Sequence, residues 1–139
     1  MNPLETVLAY EQFIYSLQDT YPSILRSTLV AIRRGPLAVH LTGKIEFVED
    51  ITLSVDERLL FIYASGQIEH YGYEVWRGGQ KLYWYDSQPH PNDPSLASTH
   101  PHHKHIPPDI KHNRIPASGL AFTRPNLPFL IWEIEHDLL

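Results

Sequence analysis

Between His100 and His112 the chain carries five histidines (His100, His102, His103, His105 and His112), with Lys104 and Lys111 among them and Arg114 two residues beyond. Upstream stand Asp86 and the pair Pro89-His90. Imidazole titrates close to neutrality, so two such rings can take a proton in one step and give one in the next. Ammonium and guanidinium groups hold phosphate, the guanidinium through two parallel hydrogen bonds. Together these residue types suit metal-independent RNA cleavage. That reaction needs a base for the 2′-hydroxyl, an acid for the departing 5′-oxygen and cations around the phosphorane. On this reading His102, His103 and His105 supply acid and base, and Lys104 and Arg114 clamp the phosphate. Asp86 orients an imidazole and fixes its tautomer, as carboxylates do in other catalytic sets. Lys111, His100 and Tyr83 are candidates for further substrate contacts. No cofactor is needed.

The same residues admit two other readings. His100-x-His102 and His105 resemble the first half of the metallo-β-lactamase signature, in which two histidines precede an Asp-His pair. Here Lys104 stands in the place of the Asp ligand, and the long βαβ scaffold of that family is missing. Zinc on His100, His102 and His105 remains the alternative. It would make the chain a metal- or partner-binding module without turnover, or a metal-dependent phosphodiesterase. The plainest reading is a proline-rich loop with surface histidines and no chemistry. That suits one isolated histidine better than five within thirteen residues.

Other residues carry weaker signals. Tyr73, Tyr83 and Tyr85 are able to stack on bases, because aromatic platforms on a sheet are a common RNA-binding device; otherwise they pack the sheet. His40 falls on the polar side of a strand, and His70 and His136 have no clustered partners. No glycine-rich phosphate loop and no Ser-His-Asp spacing is present. The absence of cysteine excludes disulfides, thiolate ligands and a thiol nucleophile. The net charge of −5 conceals an asymmetry: His100 to Arg124 carries +3, leaving −8 elsewhere. A local basic patch on an acidic body still attracts phosphate. No apolar run is long enough to span a membrane, and Met1-Asn2-Pro3-Leu4-Glu5 lacks the features of a secretory signal, so a cytoplasmic location is expected.

These residues need a scaffold, and 139 residues with 42% apolar content suit one domain over 1–139. Leu4, Val7, Leu8, Phe13, Ile14 and Leu17 recur at helical spacing, with Pro3 in the first turn and an end before Tyr21-Pro22. Ser27 to Arg33 reads as strand or short helix. Leu37 to Phe47 alternates with period two and predicts a strand bent at Gly43. Shorter strands follow over Ile51–Val55 and Leu59–Ala64, with Asp56-Glu57 as the turn. Ile68–Arg77, Gly78-Gly79 and Gln80–Asp86 form a hairpin. Large side chains on both faces put the second hairpin strand inside the sheet. Regular structure is expected to stop after Asp86, because Gln88 to Pro116 holds seven of the twelve prolines and six of the nine histidines. Asn126 caps a closing helix with Pro128 in its first turn. The class is α+β: helix, antiparallel β-meander, long His/Pro-rich loop, C-terminal helix.

Three stretches, Tyr71-Gly72-Tyr73-Glu74-Val75-Trp76, Trp84-Tyr85-Asp86-Ser87-Gln88-Pro89-His90 and His100-Pro101-His102-His103-Lys104-His105, resemble the TumE-type toxins of bacterial and archaeal toxin–antitoxin pairs. The resemblance spans roughly residues 43 to 112, and its most specific part is the Pro-His-His-Lys-His string. It implies a toxin with a cognate antitoxin, often a helix-turn-helix protein, and an RNase role. By motif position it carries over Asp86, His90, His102, His103, Lys104 and His105. Ser87-Gln88 stands where Asn-Ala is usual, and His100 where Phe is common; the extra histidine keeps metal binding open. Whether copies of the chain associate is left open.

Overall fold

Alternating apolar and polar side chains from Ala38 to Leu60 build two long neighbouring strands, and their pairing sets the register of the rest. The computed structural model describes residues 2–62 and 65–139. Helices α1 (Val7–Tyr15) and α2 (Leu17–Thr20) precede strands β1 (Ile24–Ser27), β2 (Val30–Arg33), β3 (Ala38–Phe47), β4 (Ile51–Leu60), β5 (Gln67–Arg77) and β6 (Gln80–Asp86). A 3-10 helix at Pro94–Thr99, strands β7 (His103–His105) and β8 (Arg114–Pro116), and helix α3 (Leu127–Asp137) complete the chain. Among the described residues the eight strands form one open antiparallel sheet, ordered β1-β3-β4-β5-β6-β7-β8, with β2 also beside β3. The α+β class and the meander are as expected, and β6 does lie inside the sheet.

Odd-numbered residues of β3 and β4 face the helices, and the sheet is apolar on that side only. Val39, Leu41, Ile45, Leu53, Val55, Tyr73, Val75 and Tyr85 pack there against Tyr10 and Ile14 of α1 and Leu130, Ile131 and Ile134 of α3. The opposite face carries Lys44, Ser54, Glu74 and Trp84 in one cross-strand row and Asp56, Gly72 and Asp86 in the next. Neither α1 nor α3 contributes to it. It is the face on which the polar chemistry collects.

Several expectations need correction. Helix α1 starts at Val7, because Thr6 caps it by accepting a hydrogen bond from Ala9 N–H (3.0 Å); Pro3 lies in the turn before it. The uncertain Ser27–Arg33 stretch is strand, interrupted at Thr28 and Leu29. There Gly43 of β3 adopts φ +138°, and a Cβ would come within 2.5 Å of the Thr28 carbonyl oxygen. Only glycine permits that approach. Asp56-Glu57 is no turn, since β4 runs unbroken through it. The strand expected over Leu59–Ala64 ends in Tyr63 and Ala64, which lie outside the described residues. Regular structure resumes after Asp86 in β7, β8 and the 3-10 helix, because backbone pairing beyond β6 satisfies loop amides that proline leaves available. Asn126 precedes α3 but does not cap it; its side chain holds Ala121 N–H (2.9 Å) and the Tyr73 hydroxyl (3.1 Å) instead.

Glu57 explains why its position reads misleadingly as a turn. It is fully buried on the helix face, where the hydroxyls of Tyr10 and Tyr73 both donate to its carboxyl. Burial lifts that carboxyl from 4.5 to about 7, against the pull of the two hydroxyls. The folded chain therefore keeps a proton that the unfolded chain releases near 4.5, so stability falls as pH rises between about 4.5 and about 7. The full loss is on the order of 3 kcal/mol. Glu57→Gln is expected to remove this decline: urea melts of parent and variant coincide near pH 5 and separate by pH 8, with the variant the more stable.

Candidate functional site

In the pairing of β6 with β7, Asp86 stands opposite His103, Tyr85 opposite Lys104 and Trp84 opposite His105. Side chains alternate along a strand. Asp86, Trp84, His103 and His105 therefore leave from the face opposite α1 and α3, while Tyr85 and Lys104 leave from the other. Strand β8 then sets Arg114 beside His105.

His103 Nε2 lies 2.9 Å from Asp86 Oδ1, and His105 Nε2 lies 3.4 Å from Asp86 Oδ2. The two Nε2 atoms are 3.1 Å apart. On its far side each ring meets a carbonyl oxygen: His103 Nδ1 is 3.0 Å from Pro101 O, and His105 Nδ1 is 3.0 Å from Ile110 O. A carbonyl oxygen only accepts, so both Nδ1 atoms carry hydrogen. Each neutral ring then turns an Nε2 lone pair toward its neighbour and toward the carboxylate. The rings are 1% and 3% exposed, so bulk water scarcely hydrates those lone pairs. The space between the two Nε2 atoms and the Asp86 carboxylate demands positive charge.

The electrostatics follow from that crowding. Burial works against a charged His103, but the Asp86 hydrogen bond and the Pro101 carbonyl outweigh it and raise the ring above its ordinary value. In His105 burial prevails over the attraction of Asp86, and that ring is held below its ordinary value. Burial would raise the Asp86 carboxyl; hydrogen bonds from His103 and from Gln88 N–H (3.0 Å) bring it below the usual carboxylate range. His105 also stacks on Trp84, with ring centroids 3.8 Å apart, which fixes the ring plane.

Three further residues border this centre. The His90 ring stands edge-on to His103 with centroids 4.8 Å apart, and its side chain opens to a groove of about 220 Å³ lined by Pro91, Asp93, Ala97 and His100. Burial, aided by Arg114 and His103, holds His90 below its ordinary value. Arg114 Nε is buried without a hydrogen-bond partner among the described residues. Gly72 faces Asp86 across the β5–β6 pairing, and a Cβ there would meet nothing within 4 Å, so the sheet face at the position paired with Asp86 is open.

The structure thus gathers Asp86, His90, His103, His105 and Arg114. It does not bring Lys104, His102 or Tyr83 with them. Lys104 lies on the helix face, where it pairs with Glu133 (3.2 Å) over the Tyr83 ring (4.1 Å). Tyr83, like Tyr73 and Tyr85, is buried and packs the sheet. His102 shares a hydrogen bond with the Tyr71 hydroxyl (2.6 Å) and packs on Phe122. His100 and Lys111 are exposed, and the zinc set of His100, His102 and His105 does not converge. The histidine–carboxylate group that does converge, among the described residues, is Asp86, His103 and His105. Period two in His103-Lys104-His105 already separates the lysine from the two histidines. The same spacing links Trp84 to Asp86, a signal that sequence reasoning passed over. The carbonyls of Pro101 and Ile110 had none.

A family model described as Toxin TumE matches residues 14–138, well beyond the stretch on which the resemblance rested. No curated protein and no solved structure matches the chain. Among the described residues no helix is long and apolar enough to cross a membrane.

Truncating Lys104 would strand the Glu133 carboxylate, which is 8% exposed and also accepts from the Tyr85 hydroxyl (2.8 Å). Lys104→Ala is expected to lower stability by about 1–3 kcal/mol in a chemical denaturation experiment. Lys111→Ala, on the exposed loop, changes it little.

Proposed function

Because the chain belongs to the TumE toxin family, we propose that it is the toxin of a toxin–antitoxin pair and that it cuts RNA at the Asp86–His103–His105 centre. The observation that carries this reading is the convergence of two buried imidazoles and a carboxylate on a point that demands positive charge, with Arg114 unpaired at Nε beside it. With a cation at that point, the centre and Arg114 together suit a phosphate that gains negative charge as it reacts.

The steps follow from position. His90, whose ring has no hydrogen-bond partner among the described residues, takes the proton of the 2′-hydroxyl. The 2′-oxygen bonds to phosphorus, the P–O5′ bond breaks, and the 5′-oxygen takes up a proton from the centre. Arg114 holds a non-bridging oxygen. The products are a 2′,3′-cyclic phosphate and a 5′-hydroxyl. With no metal bound, a proton on His103 supplies part of the positive charge that the centre demands. The basic His100–Arg124 segment draws the RNA backbone toward the groove. An antitoxin of the helix-turn-helix type and a cytoplasmic site of action complete the reading.

Expressed without antitoxin, the parent is expected to arrest growth, and purified protein to leave cyclic-phosphate ends on RNA. His103→Ala, His105→Ala and Asp86→Ala each lower the cleavage rate roughly 10²-fold or more, and His90→Ala at least 10-fold. If growth arrest were as strong in His103→Ala and His105→Ala as in the parent, the reading would be wrong. Gly72→Val fills the space beside Asp86 in a strand that accepts β-branched residues. It is expected to slow cleavage while the melting temperature stays the same or rises.

A further inference from the structure

The geometry points to a divalent transition-metal ion held by His103 Nε2, His105 Nε2 and a carboxylate oxygen of Asp86. As the cofactor of the centre described above it rests on the RNA-cleavage reading for its use, but not for its existence.

The argument begins with what one proton leaves unsolved. A hydrogen on His103 Nε2 can point at Asp86 Oδ1, at 2.9 Å. His105 Nε2 then still faces Asp86 Oδ2 at 3.4 Å with no hydrogen between them, because the hydrogen of that ring is on Nδ1 at the Ile110 carbonyl. Two lone pairs oppose each other with little bulk water to screen them. A cation of charge +2 attracts all three atoms at once.

The spacing fits such an ion. Metal–ligand bonds of about 2.0–2.2 Å, arranged as a tetrahedron or octahedron, put neighbouring ligand atoms roughly 3.0–3.5 Å apart. Here the two Nε2 atoms are 3.1 Å apart, the two Asp86 oxygens lie 2.9 Å from His103 and 3.4 Å from His105, and one ligand atom from each residue lies within 4.8 Å of the others, so a small shift of the carboxylate closes the set. The outer hydrogen bonds fit too: ligating histidines donate their other N–H to a carbonyl or carboxylate, which orients the ring and selects the tautomer. Pro101 and Ile110 do this for both rings. Two imidazoles and one carboxylate favour zinc, manganese, iron or cobalt over magnesium or calcium, which prefer all-oxygen shells. Three protein ligands leave a coordination position open, and the space beside Gly72 adjoins Asp86 where a water or phosphate oxygen would enter. This ligand set shares only His105 with the zinc set expected from the sequence.

The test uses the full chain purified without a polyhistidine tag and stripped with chelator. Cobalt(II) is expected to bind one equivalent with visible d–d absorption, and zinc to displace it. Zinc alone should raise the thermal midpoint by about 5 °C or more, by mass action on the folded state. His105→Ala abolishes the cobalt band, and His112→Ala, whose ring pairs with Asp109 elsewhere on the loop, retains it. Asp86→Asn, nearly isosteric and expected to fold, weakens zinc binding at least ten-fold. Folded, stripped parent that takes up less than a fifth of an equivalent of cobalt and of zinc overturns the proposal, as does full uptake by His103→Ala/His105→Ala. Undiminished RNA cleavage by stripped protein in chelator overturns the metal as cofactor and leaves RNA cleavage standing. Stoichiometric zinc with no cleavage of any RNA upholds the site and overturns the RNA reading instead.

Discussion

Two backbone carbonyls, those of Pro101 and Ile110, constrain everything else at the centre. By accepting Nδ1–H from His103 and His105 they assign the tautomer of both rings and force the Nε2 atoms to confront each other and Asp86. Without those acceptors the rings could turn or change tautomer, and the crowding would relax into ordinary hydrogen bonds. Both carbonyls come from irregular chain flanking β7, and the prolines there restrict the backbone that presents them. The loop is therefore part of the site's geometry and not merely its cover.

The sheet divides labour between its faces. On the open face stand Asp86, His103, His105, Trp84 and Arg114; on the helix face Lys104, Tyr83 and Tyr85 meet Glu133 of α3. The ion pair and the tyrosines tie the three-residue strand β7 to the C-terminal helix from behind. The helix thus steadies the centre without contacting it. A comparable polar group lies deeper, where α1 reaches β4 and β5 through Tyr10, Glu57 and Tyr73. Helices α1 and α3 are each joined to the sheet by a buried glutamate and tyrosine hydroxyls, which gives an otherwise apolar interface a definite register.

Much of this was legible in the residues. The period of Leu37–Phe47 predicts β3, which runs unbroken through Gly43, and the glycine there is needed because the Thr28 backbone leaves no space for a Cβ. The paired glycines mark the β5–β6 hairpin, and the composition of the loop marks where the polar side chains converge. What could not be read is equally physical. Glu57 looks like a turn residue because a carboxylate in a core is expensive; only the distant Tyr10 and Tyr73 make it tolerable. Lys104 looks like a phosphate clamp until its strand is recognised, and a three-residue strand rich in histidine has no strand signature. Arg114 was a natural candidate by charge, but its placement beside His105 depends on a pairing across eight intervening residues. Local pattern cannot supply that.

The stack of His105 on Trp84 makes the centre its own optical gauge. An indole in van der Waals contact with an imidazole loses fluorescence when that imidazole gains positive charge or binds a quenching metal such as cobalt. Trp84 is partly buried, whereas Trp132 is 51% exposed, and the more exposed indole emits further to the red. Trp76 is also partly buried, so in a Trp76→Phe background the blue side of the emission band reports chiefly on Trp84 and the ring stacked on it. Occupancy of the centre can be followed in unlabelled protein, with RNA or a partner present, by light alone.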